Sequence, residues 1–163
     1  MSNINSTILY KTLKSLPGNE IKAIAKKVRM CESLEISNLF RILSDHIATN
    51  HELPRKTCFH LCFGEREKFD DKKLRYLMSE GLNILHKIII DKQIERDHHQ
   101  KNLLLLKGLK YYGIEEELHR VTNNALKKIK TEVHQSADYH FYKYHTISIY
   151  LILSKLIVYL LSY

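Results

Sequence analysis

Cys58, His60 and Cys62 are the residues most suited to metal chemistry, and they lie together in the segment CFHLC. Two thiolates and an imidazole are ligands that zinc accepts. In a helix the two cysteines share one face at i and i+4, whereas His60 points roughly away from both. The spacing is not that of a C-x₂-C knuckle, and a fourth ligand such as His51 would have to come from elsewhere. We therefore interpret the cysteines as small thiols packed on an apolar helix face and predict no metal site.

The chain contains 10 histidines, and they form two visible clusters, DHHQ at 97–100 and HFYKYH at 140–145. His140 and His145 are five residues apart, so one helix does not stack them as it stacks an i, i+4 pair. Neither cluster has a Glu at the offset that a zinc hydrolase helix needs, and no glycine begins a phosphate-binding loop. A nucleophile elbow is also missing from the sequence. We predict no catalytic residue, no cofactor and no enzyme activity.

Basic residues are concentrated near the N-terminus of a chain whose formal net charge is +8. Clustered cations gain affinity for nucleic acid by releasing counterions from phosphates. A Lys-rich surface is more often simply solvated, so nucleic-acid binding is the alternative rather than the preferred interpretation. The candidate contacts are Lys11, Lys14, Lys22, Lys26, Lys27 and Arg29.

Aromatic residues alternate with cationic ones between Tyr139 and His145. Tyr139, Phe141, Tyr142 and Tyr144 could stack on bases or contact a partner. Tyrosines at helical spacing more often fill an interface between helices, and we favour that interpretation.

The composition predicts an all-α fold. Only 5 Gly and 2 Pro occur in 163 residues, too few for the frequent turns of a sandwich or barrel. The apolar residues recur at helical spacing, and Ser33, Asp70 and Asn19 are expected N-caps, with Gly113 following a helix C-terminus. Eight helical segments in an antiparallel array are expected, with stacked helical hairpins as one permitted arrangement, over residues 7–16, 20–30, 34–47, 55–63, 71–90, 101–112, 115–134 and 136–163.

Two segments need separate comment. Residues 91–100 are polar but contain neither Gly nor Pro, so the chain either runs through them as one bent helix or turns there. Residues 101–112 are apolar on nearly all sides, which predicts a helix buried against several neighbours.

Cysteine usage and the N-terminus indicate a compartment. Three cysteines are an odd number, and residues 1–7 lack the basic and apolar regions of a secretory signal. We therefore expect a reducing, cytoplasmic environment.

The C-terminal run HTISIYLILSKLIVYLLSY is almost wholly apolar. As a helix, residues 147–163 would span about 25 Å, slightly less than a hydrocarbon core, and Lys155 lies in the middle. Ser148, Lys155 and Ser162 form one narrow polar stripe, which fits a core helix better than a membrane anchor. We divide the chain into a helical domain, 1–145, and an apolar helix or aberrant tail, 146–163.

Several segments also resemble a known family. ILYKTLKSLPGNEIKAIAKKV, FGEREKFDDKKLRYLMSEGLNIL, NLLLLKGLKYYGIEEELHRVTNNALKK and SADYHFYKY resemble, in order, the N-terminal part of an uncharacterised family of larger bacterial all-helical proteins. The likeness covers residues 8–145 and implies a helical array with no known activity. It fades where the apolar tail begins, so the tail is also interpreted as a frameshift or truncation product of a longer protein.

The sequence thus favours a non-enzymatic helical scaffold or protein-interaction module. Its expected partner is a protein, or a second copy of the chain, bound through apolar helix faces. The alternatives are a nucleic-acid-binding protein that uses the basic N-terminal helices and a membrane-associated protein anchored through residues 147–163.

Overall fold

The prediction of an all-α fold is confirmed by the computed structural model, which describes residues 3–131 and 137–161, without the side chains of Cys31, Tyr150 and residues 152–161. Within these residues a short 3₁₀ turn, Ile4–Ser6, precedes eight α-helices and no strand is formed. The helices are α1 (Ile8–Lys14), α2 (Gly18–Cys31), α3 (Leu34–Thr49), α4 (Arg55–Phe63), α5 (Asp71–Arg96), α6 (His98–Tyr111), α7 (Glu115–Thr131) and α8 (Ala137–Leu161).

Two of the expected N-caps are confirmed. The Ser33 hydroxyl accepts a hydrogen bond from the Ile36 N–H at 3.4 Å, at the start of α3. The Asp70 carboxylate accepts from the backbone N–H groups of Lys72 and Lys73, at 2.8 and 3.1 Å, at the start of α5. Both side chains satisfy amide groups that have no acceptor within the helix itself.

The C-terminus of α6 is closed as predicted by Gly113, whose φ of +67° lies in the left-handed region. The Gly113 N–H donates to the Lys110 carbonyl, and the Ile114 N–H donates to the Leu109 carbonyl. This pair of bonds is the Schellman motif, in which glycine is favoured because it has no Cβ.

One local prediction needs correction, and one alternative that the sequence leaves open is decided by the structure. Asn19 is not the N-cap of α2, because the helix begins at Gly18 and Pro17, fixed near φ −56°, takes the capping position. For residues 91–100 the sequence leaves open one bent helix or a turn, and the structure shows a break between two helices: α5 continues to Arg96, and a single extended residue, Asp97, separates it from α6. The Asp97 carboxylate caps α6 by accepting from the Gln100 N–H at 2.9 Å.

The chain divides into two compact units, Met1–Ile90 and Asp91–Tyr163. In the first unit α3 packs against α1, α2 and α4, and apolar residues of these helices and α5 form one core. Gly81 of α5 allows side chains of α1 and α3 to approach the α5 backbone closely. A Cβ at that position would lie 3.1 Å from Leu9 Cδ2 and 3.2 Å from Leu39 Cδ2.

In the second unit α6, α7 and α8 pack against one another. Their core consists of leucines from one face of α6 together with Leu118, Val121 and Ile149. The proposed domain boundary at 145/146 falls within α8, whose backbone continues from Ala137 to Leu161. The interpretation of residues 146–163 as an aberrant tail stays a prediction, since most of their side chains lie outside the described residues.

Candidate interaction surface

One face of α6 is apolar yet exposed. Leu104, Gly108 and Tyr111 are spaced i, i+4 and i+7, so they lie on one stripe of the helix. Leu104 is exposed, and the Tyr111 side chain is 84% exposed. Leu105 and Tyr112 extend the apolar surface beside this stripe. We call these five residues the α6 face; large apolar groups concentrated in this way are typical of a binding surface rather than of ordinary solvated helix.

The opposite side of α6 is buried, so the helix predicted to be buried against several neighbours packs, among the described residues, against α7 and α8 on this side only. Leu103, Leu106 and Leu109 point into the core of the second unit and are almost completely buried. Their spacing of three residues places them on one side of the helix. A continuous run of leucines gives no sign of which side packs against a neighbour, so the sequence does not predict the exposed side.

The α6 face has a basic border and a gap in its centre. Lys101 and Lys107 are exposed and lie on either side of the stripe, one turn or less from Leu104. A Cβ built on Gly108 meets no atom within 4 Å, so the glycine is not required by packing among the described residues. A glycine within a helix costs about 1 kcal/mol relative to alanine. The face therefore combines apolar contacts, positive charge and room for the close approach of another backbone.

The six predicted nucleic-acid contacts are all exposed, but the structure separates them into groups. Lys11 and Lys14 lie on α1, where the Lys14 ammonium donates to Asn50 Oδ1 at 2.9 Å. On α2, Lys22, Lys26 and Arg29 are spaced i, i+4 and i+7 and form one stripe. Lys27 directly follows Lys26. Because successive residues of a helix are rotated by about 100°, Lys27 lies off that stripe.

A cleft between α2 and α3, of about 440 Å³, brings Lys26 and Arg29 together with Arg41. Arg41 was not among the predicted contacts, because it belongs to a different helix and sequence proximity did not connect it to the basic stretch. Its guanidinium lies 3.8 Å from the Asp45 carboxylate, and both side chains are mainly exposed. Such a pair contributes little and leaves the guanidinium available.

The two described cysteines, Cys58 and Cys62, are buried in the core of the first unit. The hydrogen bond between the two thiols and their burial raise the pKa of Cys58, so the thiol stays protonated. His60 is only partly buried, and its ring lies edge-on to Phe59. In the part of the chain that the structure describes, no group of three or more His, Cys, Asp or Glu side chains is arranged to hold a metal ion.

A polar network that the sequence did not predict joins α6 and α8. The Tyr142 hydroxyl donates to Asp97 Oδ2 at 2.6 Å, and the Tyr142 ring stacks on His99 with centroids 5.5 Å apart. The bond to Asp97 raises the pKa of Tyr142 to about 12. Burial raises the pKa of Asp97, but hydrogen bonds from Gln100 and Tyr142 outweigh burial and lower it below its usual value. Asp97 is thus a charged acceptor and Tyr142 a neutral donor at neutral pH.

The aromatic patch of residues 139–145 is divided between the interior and the surface. Tyr139 is buried and Tyr142 is half-buried against α6, whereas Phe141 and Tyr144 are exposed. The half that packs inside fits the interpretation of an interface between helices. The exposed pair is available to a ligand.

No helix within residues 3–131 and 137–161 combines the length and the apolar character needed to cross a membrane. Comparison with known proteins yields no match to a family model, to a curated protein or to a solved structure. The resemblance to larger bacterial helical proteins therefore stays a prediction.

Proposed function

We propose that this chain is a non-enzymatic protein-interaction module that binds an acidic amphipathic helix of a partner protein on the α6 face. The observation that carries the proposal is the stripe in which exposed Leu104 and Tyr111 flank the half-buried Gly108. Amphipathic helices bind in this way by laying apolar residues at i, i+3, i+4 and i+7 against an apolar surface.

The charge around the stripe selects the partner. Lys101 and Lys107 border the apolar residues, and the whole chain carries a net charge of +8. A second copy of the chain that bound through its own α6 face would bring its lysines against these lysines. Like charges across an interface disfavour binding. Glutamates or aspartates on the edges of the partner helix would instead complement the lysines and leave its apolar stripe free to cover Tyr111.

The test uses two synthetic helical peptides that share one leucine stripe and differ in having only glutamate or only lysine at their edges. Fluorescence anisotropy gives their affinities for the full chain. We expect the acidic peptide to bind at least about tenfold more tightly than the basic one, with the difference decreasing as salt is added.

Tyr111→Ser is expected to weaken binding of the acidic peptide by about tenfold or more, because a tyrosine that becomes fully buried in an interface typically contributes roughly 2 kcal/mol. The matched control is Tyr76→Ser on α5, which removes a tyrosine that is 65% exposed outside the α6 face. Equal affinity for the two peptides, or equal losses in the two variants, would contradict the proposal. Light scattering of the chain without peptide tests self-association as the alternative.

A further inference from the structure

The cleft between α2 and α3 has the character of an anion-binding site. Three of its lining residues are cationic, two carry neutral polar groups and no carboxylate is among them. The cleft is lined by Lys26, Arg29, Arg41, Ser37, Asn38 and Leu34, together with Ala25.

We infer that this cleft binds the phosphate group of a phosphate ester. Arg29 and Arg41 each offer a planar fork of N–H donors that matches phosphate oxygens, and Lys26 adds a compact positive charge. The hydroxyl of Ser37 and the amide of Asn38 are further donors from α3. A volume of about 440 Å³ lies in the range of small-ligand sites.

The walls of the cleft also define what accompanies the phosphate. Leu34 is exposed at the start of α3 and, with Ala25, provides an aliphatic surface for the organic part of the ester. Among the described residues no aromatic ring lines the cleft, so these residues offer no platform for stacking a base. The geometry thus favours recognition of the phosphate itself, whether it comes from a small molecule or from a nucleic-acid backbone.

This inference concerns the Met1–Ile90 unit and is independent of the proposed helix-binding surface in the other unit. Its residues also differ from those of the sequence alternative, nucleic-acid binding through the basic N-terminal helices. Lys26 and Arg29 are retained from the six predicted contacts and Arg41 is added. The other four predicted contacts do not line the cleft: Lys11, Lys14, Lys22 and Lys27.

The first measurement follows the guanidinium N–H resonances of the full chain by NMR while sodium phosphate is added, against sodium chloride at matched ionic strength. We expect saturable shifts for Arg29 and Arg41 with phosphate alone. Arg120, which is paired with Glu117 on α7, serves as the internal reference. Shifts of similar size for all arginines, or none beyond the effect of chloride, would overturn the inference.

The second measurement compares two double variants that lose the same charge. Arg29→Gln with Arg41→Gln is expected to weaken phosphate binding at least about tenfold, because each substitution removes charge-assisted hydrogen bonds. Lys11→Gln with Lys14→Gln is expected to change it less than about twofold, whereas similar losses in the two variants would contradict a defined site. All four residues are exposed, and circular dichroism checks that both variants keep their helices.

A fluorescein-labelled oligodeoxythymidine separates the two sources of phosphate. Binding that inorganic phosphate displaces and that the arginine variant loses would identify a nucleic-acid backbone as the source. Phosphate binding without oligonucleotide binding would identify a small phosphate ester, and both results support a phosphate-binding cleft.

Discussion

Replacing Gly108 with alanine should stabilise the free chain and weaken its binding to an acidic helix. Gly108 lies within α6, and its backbone is not in the left-handed region that Gly64 and Gly113 occupy. Alanine is therefore compatible with the local backbone, and its methyl group would meet no atom within 4 Å. The expected gain in the free energy of unfolding is up to about 1 kcal/mol, the difference in helix propensity between the two residues.

The matched control is Gly81→Ala on α5, also at an interior helical position. There the new methyl group would lie 3.1 and 3.2 Å from two leucine Cδ2 atoms, closer than ordinary van der Waals contact. Overpacking of this kind typically costs about 1–3 kcal/mol and offsets the gain in propensity. Gly81→Ala should therefore be less stable than Gly108→Ala, although the change in residue type is the same.

Urea unfolding gives the two stabilities, and anisotropy with the acidic peptide gives the two affinities. If the gap at Gly108 admits a partner backbone, the alanine methyl group weakens binding by about 1 kcal/mol or more, which is a factor of about five or more. Gly81→Ala should leave the affinity unchanged. A stabilised Gly108→Ala variant that binds as tightly as the original chain would refute the argument that the gap serves close approach.

Three further predictions concern stability and ionisation. Tyr10→Phe should raise the free energy of unfolding by about 1 kcal/mol, because the buried hydroxyl has no hydrogen-bond partner among the described residues, and a lower stability in urea would disprove this. Asp97→Asn retains a good N-cap but removes the charge beside Tyr142, so the pKa of Tyr142 should fall from about 12 towards 10. Since the pKa of Tyr142 is raised in the folded chain, the hydrogen bond of Tyr142 stabilises the fold fully below pH 10, and this stabilisation is lost as pH rises through 12. ¹³Cζ NMR of Tyr142 follows this titration. An unchanged midpoint in Asp97→Asn would exclude Asp97 as the cause of the raised pKa. Arg55→Gln should cost about 1 kcal/mol and Arg75→Gln less than about 0.5 kcal/mol, although both arginines contact the same carboxylate, because Arg55 is 16% exposed and Arg75 is 68% exposed; equal losses in urea would show that burial does not decide the difference.

The local signals that sequence analysis interpreted correctly are those whose chemistry is complete within a few residues. Ser33 and Asp70 cap helices because their side-chain oxygens reach amide groups two or three residues further along the chain. Gly113 closes α6 because a left-handed residue is needed there. Asp97 uses the same capping chemistry, yet it was missed because no Gly or Pro marks the interruption.

The surfaces were predicted less well, because they depend on which helices are neighbours. The leucines of α6 look equivalent in sequence, and only packing against α7 and α8 separates the buried Leu106 from the exposed Leu104. The α2–α3 cleft brings Arg29 of α2 close to Arg41 of α3 because the two helices pack against each other. The distribution of charge along the sequence does not reveal this proximity. Sequence periodicity predicts which residues share a face of a helix, but not which neighbouring helix covers that face.

The buried thiols of Cys58 and Cys62 on α4 can report how often the core of the first unit opens. Alkylating reagents react with the thiolate, and both burial and the raised pKa of Cys58 suppress that form in the closed core. Modification of Cys58 or Cys62 by iodoacetamide would therefore occur mainly from molecules in which α4 has left its neighbours. Mass spectrometry of each labelled site would then measure how often the first unit opens, without any engineered probe.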